Sequence, residues 1–435
     1  MILSIPFKER AIDAHLPDTW RLAGSLIGEP YPSIDAKAAL EKGLAAPIDA
    51  NPLFGEDFDG QKICFIVDDA TRPTPVHELF PTLLAGLLRR GAKGPITVVV
   101  ANGTHAPMSE RAIAARLGTP DLHGLDIRNH DCMDDAALVD MGISPSGLPL
   151  KIARCIVEAD LVVSIGTIEP HIMAGFGGGL KNIVPGCAGL DTISATHLLG
   201  PTAERFGNVG RFVEDCAVRK RIEEAASLAV KRCFIVNTVL DEHNRPVGLF
   251  CGDARSAHRR GAELARKVWG VRIEEKADIL IGTSAPMIHD LCQGSKAFST
   301  GIAGVRPGGL VMLFMECREG LGDYCVSPTS IPYERARDIL RTEGTEHYTA
   351  LRREAGGGEE RSFYETFLTQ SNAEALRKAD VFIHCPDIPT SVLNGFGLFK
   401  AFDSPEEMIA EASRLFPEAN VLYSPSGGTC FPYFD

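Results

Sequence analysis

Short apolar runs punctuate this chain, and between them apolar positions recur at helical spacing. Lys62–Val67 (KICFIV), Ile96–Ala101 (ITVVVA) and Asp160–Ile165 (DLVVSI) show almost no polar alternation, the pattern of strands buried on both faces. Between the first two lies Val76–Arg90, apolar at helical spacing and followed by Gly91, so a helix is expected there. Ser109 is placed to cap a helix reaching Leu117, with Gly118 to end it. Strand–helix–strand alternation of this kind predicts an α/β fold with a largely parallel sheet.

The rhythm restarts further on. Asp253 heads a charged helix through about Val268, and Gly270 closes it. Ile279–Gly282, a helix running past Gln293, Leu310–Phe314 and Val381–His384 follow. Arg318–Tyr333 and Glu354–Glu360, the latter with three glycines, read as irregular loops. A chain of 435 residues is too long for one ordinary core. The expectation is two Rossmann-like α/β domains with mostly parallel sheets, joined by interdomain helices. Residues 1–253 form the first, 254–275 the interdomain helix and 276–403 the second. Residues 404–435 make a return helix and tail, with Pro405–Leu415 running back toward the first domain.

Composition narrows the partners. The net charge is −13 with no basic block, which argues against nucleic acid or an anionic membrane surface. No apolar run approaches the roughly 18 residues of a membrane span. The start, MILSIPFKER, meets charge too early for a signal peptide. Twelve cysteines are scattered singly without a CxxC pair, so reduced thiols and a cytoplasmic location are expected.

Three clusters that can carry chemistry each follow an expected strand, where α/β sheets bind ligands. The first is Asp68-Asp69-Ala-Thr-Arg72-Pro-Thr-Pro75. Arg72 offers a planar fork for carboxylate or phosphate, although an Asp–Arg turn pair would look the same. The second, Asn102-Gly103-Thr104-His105, puts a histidine suited to proton transfer at a strand end. The third runs Glu169-Pro170-His171 through Gly177-Gly178-Gly179 to Lys181-Asn182, with His197 beyond. Consecutive glycines let backbone N–H groups crowd an anion. Asn182 after Lys181 breaks the GxxxxGK[ST] phosphate-loop pattern, so a nucleoside triphosphatase is disfavoured. In an apolar surround Lys181 can lose its proton and act as a nucleophile. His171 and His197 suit acid–base work or metal ligation, and their spacing does not choose between the two. A fourth patch, Cys292-Gln293-Gly294-Ser295-Lys296, follows ADILIGT in the second half.

The ordered set DDATRPTP, ANGTH, EPHIMAGFGGGLKNIVPG, His197 and QGSK resembles the nickel-pincer lactate racemase family, from about residue 10 to 420. The resemblance implies a racemase or epimerase of a 2-hydroxy acid, an isomerase working by hydride transfer. Its cofactor would be a pyridinium-3,5-bisthiocarboxylic acid mononucleotide carrying nickel, tethered to Lys181 and supplied by separate biosynthetic proteins. His197 would ligate the metal, and His105 and His171 would be the acid–base pair. Arg72, Gln293 and Lys296 would hold the substrate, and Asp69 with Gly177, Gly178 and Gly179 the cofactor. The lactate-acting enzymes carry an aromatic at the position of Cys292. The smaller thiol implies a bulkier substrate, such as malate, 2-hydroxyglutarate or an aldonate. Two alternatives are a hydrolase or lyase with an ordinary metal between His171 and His197, and a non-enzymatic organic-acid-binding protein.

Overall fold

The structure, a computed structural model, describes residues 1–119, 122, 124–199, 208–356 and 362–434. Two six-stranded sheets organise it. In the first the order is Pro246–Asp253, Cys233–Leu240, Leu161–Thr167, Ile63–Asp68, Ile96–Ala101, Leu125–Asn129. All its neighbours are parallel except the Pro246–Asp253 edge strand. The second runs Lys400–Ala401, Asp380–His384, Val305–Phe314, Ala277–Thr283, Ala419–Ser424, Trp20–Ser25, and is parallel throughout. The α/β class expected from the sequence is the one the chain adopts.

The unbroken apolar runs find cover on both faces. Every residue of Ile63–Asp68 and Leu161–Thr167 is buried. On one face the helix Val76–Arg89 packs Leu79, Phe80 and Leu83 against Phe65 and Val163, with the Phe65 and Phe80 rings edge-on at 5.0 Å. On the other, Ala217–Ala229 packs Ile222, Ala225 and Ala226 against Ile66 and Val162. The expected stops operate. Ser109 Oγ accepts from the Ala112 amide at 3.3 Å, and Gly118 ends that helix at φ 68°. Asp253 accepts from the Ser256 amide at 2.9 Å where the Ser256–Trp269 helix begins.

Three stretches differ from expectation. Trp20–Ser25 closes the second sheet, and buried Trp20 donates its indole N–H to the Phe416 carbonyl at 2.8 Å. The first residues therefore build on the C-terminal sheet and not on the 26–253 stretch. The Pro405–Leu415 helix stays with the second core, because its apolar face (Met408, Ile409, Ala412) packs there. The tail crosses instead, with Phe431 edge-on to Phe176 at 6.3 Å. Helix Gly344–Gly356 extends into the expected 354–360 loop, whose residues 357–360 lie outside the described residues. Among the described residues no helix is long and apolar enough to cross a membrane.

In the first sheet the chain proceeds from Ile63–Asp68 to Ile96–Ala101 on one side and places Leu161–Thr167 on the other. Such a reversal opens a crevice at the carboxyl ends of these strands.

Candidate active site

That crevice holds a cavity of about 130 Å³. Asp69, Arg72, His105, His171, Gly177, Gly178, Lys181, His197, Gln293 and Lys296 all line it. Residues far apart in the chain thus converge because three neighbouring strands end together.

Just past Asp68, Asp69 accepts from the Thr71 hydroxyl at 2.6 Å and meets His105 Nδ1 at 2.5 Å. Burial opposes its ionisation, but the bonds from His105 and Thr71 hold its carboxyl down to about 2. Asp69 is therefore an acceptor, so His105 carries a proton on Nδ1 and presents a lone pair at Nε2. His171 is the reverse. Its Nδ1 accepts from the Met173 and Ala174 amides at 3.3 and 3.2 Å, which leaves the neutral ring's proton on Nε2. Burial first, then the charges of Lys181, Arg72 and Lys296, push its pKa well below the ordinary value. Arg72 forms an ion pair with Glu169. Beneath them Asp68 pairs with Arg116 and accepts from the Thr74 hydroxyl at 2.5 Å; burial nevertheless raises its carboxyl to about 6.

The glycine loop is pinned from behind. Gly178 and Gly179 have φ of 68° and 60°, and a Cβ on Gly178 would stand 2.8 Å from the Thr167 carbonyl. Asn237 Oδ1 accepts from the Gly179 amide at 2.7 Å, and the Gly177 amide donates to the Glu169 carbonyl at 2.7 Å. Arg219, ion-paired with Glu223, donates to the Phe176 and Gly178 carbonyls, and His258 meets the Gly177 carbonyl at 2.9 Å. Gly177 and Gly179 thus spend their amides inside the protein, not on an anion. Gly179 faces Arg219 and His258, away from the cleft. What the glycines allow is close approach of this turn to the strand end, which sets Lys181 in the cleft. There burial, then the charges of Arg72 and Lys296, lower the amine to about 7. Far more of it is then unprotonated near neutrality than of a free lysine.

The Leu190–Leu198 helix carries His197, whose Nδ1 lies 2.8 Å from the Ile193 carbonyl. That bond fixes the proton on Nδ1 and leaves Nε2 as a donor atom for a metal. Burial holds the ring down to about 4, so it stays neutral. From the second sheet's side come Gln293 and Lys296, hydrogen-bonded to each other; burial and the nearby Arg72 bring Lys296 to about 8. The helix Phe363–Lys378 supplies Tyr364 and Phe367. Phe363 and Phe367 stand edge-on to His197 at 6.2 and 5.3 Å. The Tyr364 hydroxyl lies 3.2 Å from Cys292 Sγ. Cys292 itself is buried and is not among the residues lining the cleft, whereas Tyr364 is.

Sequence reading missed Arg116, Asn237, Arg219, His258, Tyr364 and Phe367. Asn237 sits on a strand and the two aromatics resemble core positions; only their spatial convergence marks them.

A lysine-tethered, metal-bearing nucleotide fits these residues. Lys181 is nucleophilic and faces the cleft, and His197 offers one free nitrogen. The Asn102 side-chain oxygen beside them is buried without a partner. At Gly103 an added Cβ would meet nothing within 4 Å. Among the described residues no three His, Cys, Asp or Glu side chains converge as an ordinary metal-binding group. A metal on His197 would take its other donors from a bound group.

Fold and cleft together define a two-lobed α/β enzyme with its chemistry at a switch point between parallel strands. A family model described as the lactate racemase N-terminal domain matches residues 7–206. A lactate racemase of Lactiplantibacillus plantarum is 31% identical over 328 residues, 74% of this chain and 76% of that protein. One from Thermoanaerobacterium thermosaccharolyticum is 29% identical over 325 residues, 74% and 75% of the two. The solved lactate racemase apoprotein of the latter organism covers both chains fully, with a TM-score of 0.82 at 24% identity. A Thermotoga maritima protein gives 0.62 at 18% identity, covering 93% of this chain and all of that one. The chain belongs to the lactate racemase family. It is an isomerase, a racemase.

Proposed function

We propose that this protein interconverts configurations at the hydroxyl-bearing carbon of a 2-hydroxy acid, using a nickel-pincer nucleotide tethered at Lys181. The observation that carries this reading is that Lys181 stands in one cleft with His105, His171 and His197, where burial lowers its amine. When bound, the nucleotide supplies a reversible acceptor for the substrate's α-hydrogen with its electron pair. Lys181 would hold it covalently, His197 Nε2 would ligate its metal, and Asp69, Gly177 and Gly178 would shape its seat. Its delivery would depend on separate biosynthetic proteins.

The chain's own residues then handle the substrate's protons and charge. Arg72 and Lys296 anchor the carboxylate, with Gln293 steadying Lys296. Glu169 must release part of the Arg72 fork when a carboxylate arrives. His105 Nε2, oriented by ionised Asp69, accepts the hydroxyl proton. His171 presents N–H at Nε2 to the oxygen, as a neutral imidazole does when it polarises a carbonyl. On the opposite face His171 gives its Nε2 proton to the oxygen while His105 keeps the one it took. Exchange with solvent, which returns a proton to His171 and removes one from His105, restores the pair, so both are needed. The cations around the cleft stabilise negative charge as it develops on that oxygen.

A substrate wider than lactate, such as malate, 2-hydroxyglutarate or an aldonate, rests on the sequence alone, on the thiol at 292 where lactate-acting enzymes carry an aromatic. Tyr364, which touches Cys292 and lines the cleft, would set the width more directly than the cysteine. The deciding experiment is intact mass and nickel content of protein purified from a host that makes the cofactor, followed by a screen of 2-hydroxy acids. A nucleotide-sized increment on the Lys181 peptide, with stoichiometric nickel and racemisation, is expected. Unmodified mass and no nickel in folded protein would overturn the proposal.

A further inference from the structure

A second cleft, of about 710 Å³, lies between the lobes and shares no lining residue with the first. Its lining has the opposite sign to the chain as a whole. Arg211 and Arg266 come from the first lobe. Lys276, Arg306, Arg341, Arg377 and Lys378 come from the second. Against these seven cations the lining holds one carboxylate, Asp215, in a protein of net charge −13.

Part of this charge is answered from behind. Arg306 pairs with Asp278 at 2.6 Å, Arg341 with Asp380 at 3.1 Å, and Arg377 with Glu374 at 2.9 Å. Among the described residues Arg266 and Lys276 are not answered that way, and both rest on rings. The Arg266 guanidinium lies 4.9 Å from the Phe212 ring and 4.1 Å from that of Tyr433. Lys276 Nζ lies 5.7 Å from the Phe434 ring. Ring contacts orient a cation without neutralising it. Facing cations repel, and a cleft walled by one sign concentrates counter-ions. A multivalent anion between the lobes would turn that repulsion into attraction on both walls.

The first-lobe wall also touches the other site. Asn208 Nδ2 donates to the Met173 carbonyl at 3.1 Å, and the Gly210 amide donates to the Gly175 carbonyl at 2.9 Å. Gly175 pairs with His171.

We propose that this cleft is a second ligand site, taking a small molecule with two or more phosphate groups that bridges the lobes. Arginine forks suit phosphate oxygens, and the ligand would bear on the segment that backs His171.

The test is calorimetric titration of the full chain with pyrophosphate. One saturable site is expected, weakened about tenfold or more by Lys276→Glu, which reverses a charge at the rim. Lys296→Ala, in the first cleft, should leave that affinity unchanged. Lys276→Gln serves as the milder variant, and thermal melts check that each protein is folded. Absence of saturable binding would overturn the proposal. So would binding lost in Lys296→Ala but kept in Lys276→Glu, because pyrophosphate would then sit in the first cleft. Neither measurement uses racemisation, so this proposal and the catalytic one fail separately.

Discussion

The two walls of the catalytic cleft are built by different means. On the first wall, Asp69, His105 and His171 follow directly from buried parallel strands, and backbone or carboxylate bonds fix each ring. On the second, Gln293, Lys296 and Tyr364 stand on helices, Gln293 and Lys296 bonded to each other and Tyr364 against Cys292 through their side chains. Strand ends locked by a packed sheet hold the fixed geometry that proton transfer requires. Side chains on helices can be exchanged without disturbing a sheet. On the proposed function, the contrast would put proton transfer on the first wall and substrate width on the second.

The largest effects should come from the first wall. Lys181→Ala should abolish the cofactor mass increment outright. His105→Ala and His171→Ala should each lower racemisation by about 10³-fold while the increment remains. Either variant turning over at the parent rate would break the division of labour. Next comes the turn that aims Lys181. Gly178→Ala should cost about 2 kcal/mol in chemical denaturation, since its φ is positive and its Cβ would press on the Thr167 carbonyl.

On the second wall, Tyr364→Ala should shift the ratio of kcat/KM for longer over shorter 2-hydroxy acids by about tenfold. It should leave loading intact, as judged by mass. An unchanged ratio would take substrate width away from this wall.

The smallest effect concerns pH. Lys181 is lowered to about 7 and Lys296 to about 8, from 10.5. Between those values and 10.5 the unfolded chain binds more protons than the folded one, so stability rises with pH. The Tm of cofactor-free protein should climb over that window, and Lys181→Met should flatten the climb. Equal slopes in the two proteins would mean that Lys181 is not held near neutrality.

Much of this was legible in the sequence. The runs KICFIV, ITVVVA and DLVVSI announced the central strands, because a strand buried on both faces tolerates no polar alternation. Ser109, Gly118 and Asp253 marked helix ends through local backbone chemistry that needs no tertiary context. The clusters around Asp69, His105 and Lys181 were visible because strand ends are where such sheets present side chains.

What only the tertiary structure decided depends on contacts between distant segments. Trp20–Ser25 joins a sheet whose neighbouring strand lies some 400 residues later, and no local pattern encodes that partner. The glycine run reads as an anion cradle in sequence. In the fold its amides serve Asn237 and the Glu169 carbonyl, which no spacing rule predicts. Tyr364 shows the same limit. An aromatic on a helix looks like core until packing puts its hydroxyl against Cys292. Sequence determined which segments fold and which residues can react. Tertiary packing determined the protonation state in which each is held, because pKa values and tautomers depend on neighbours that the chain order does not reveal.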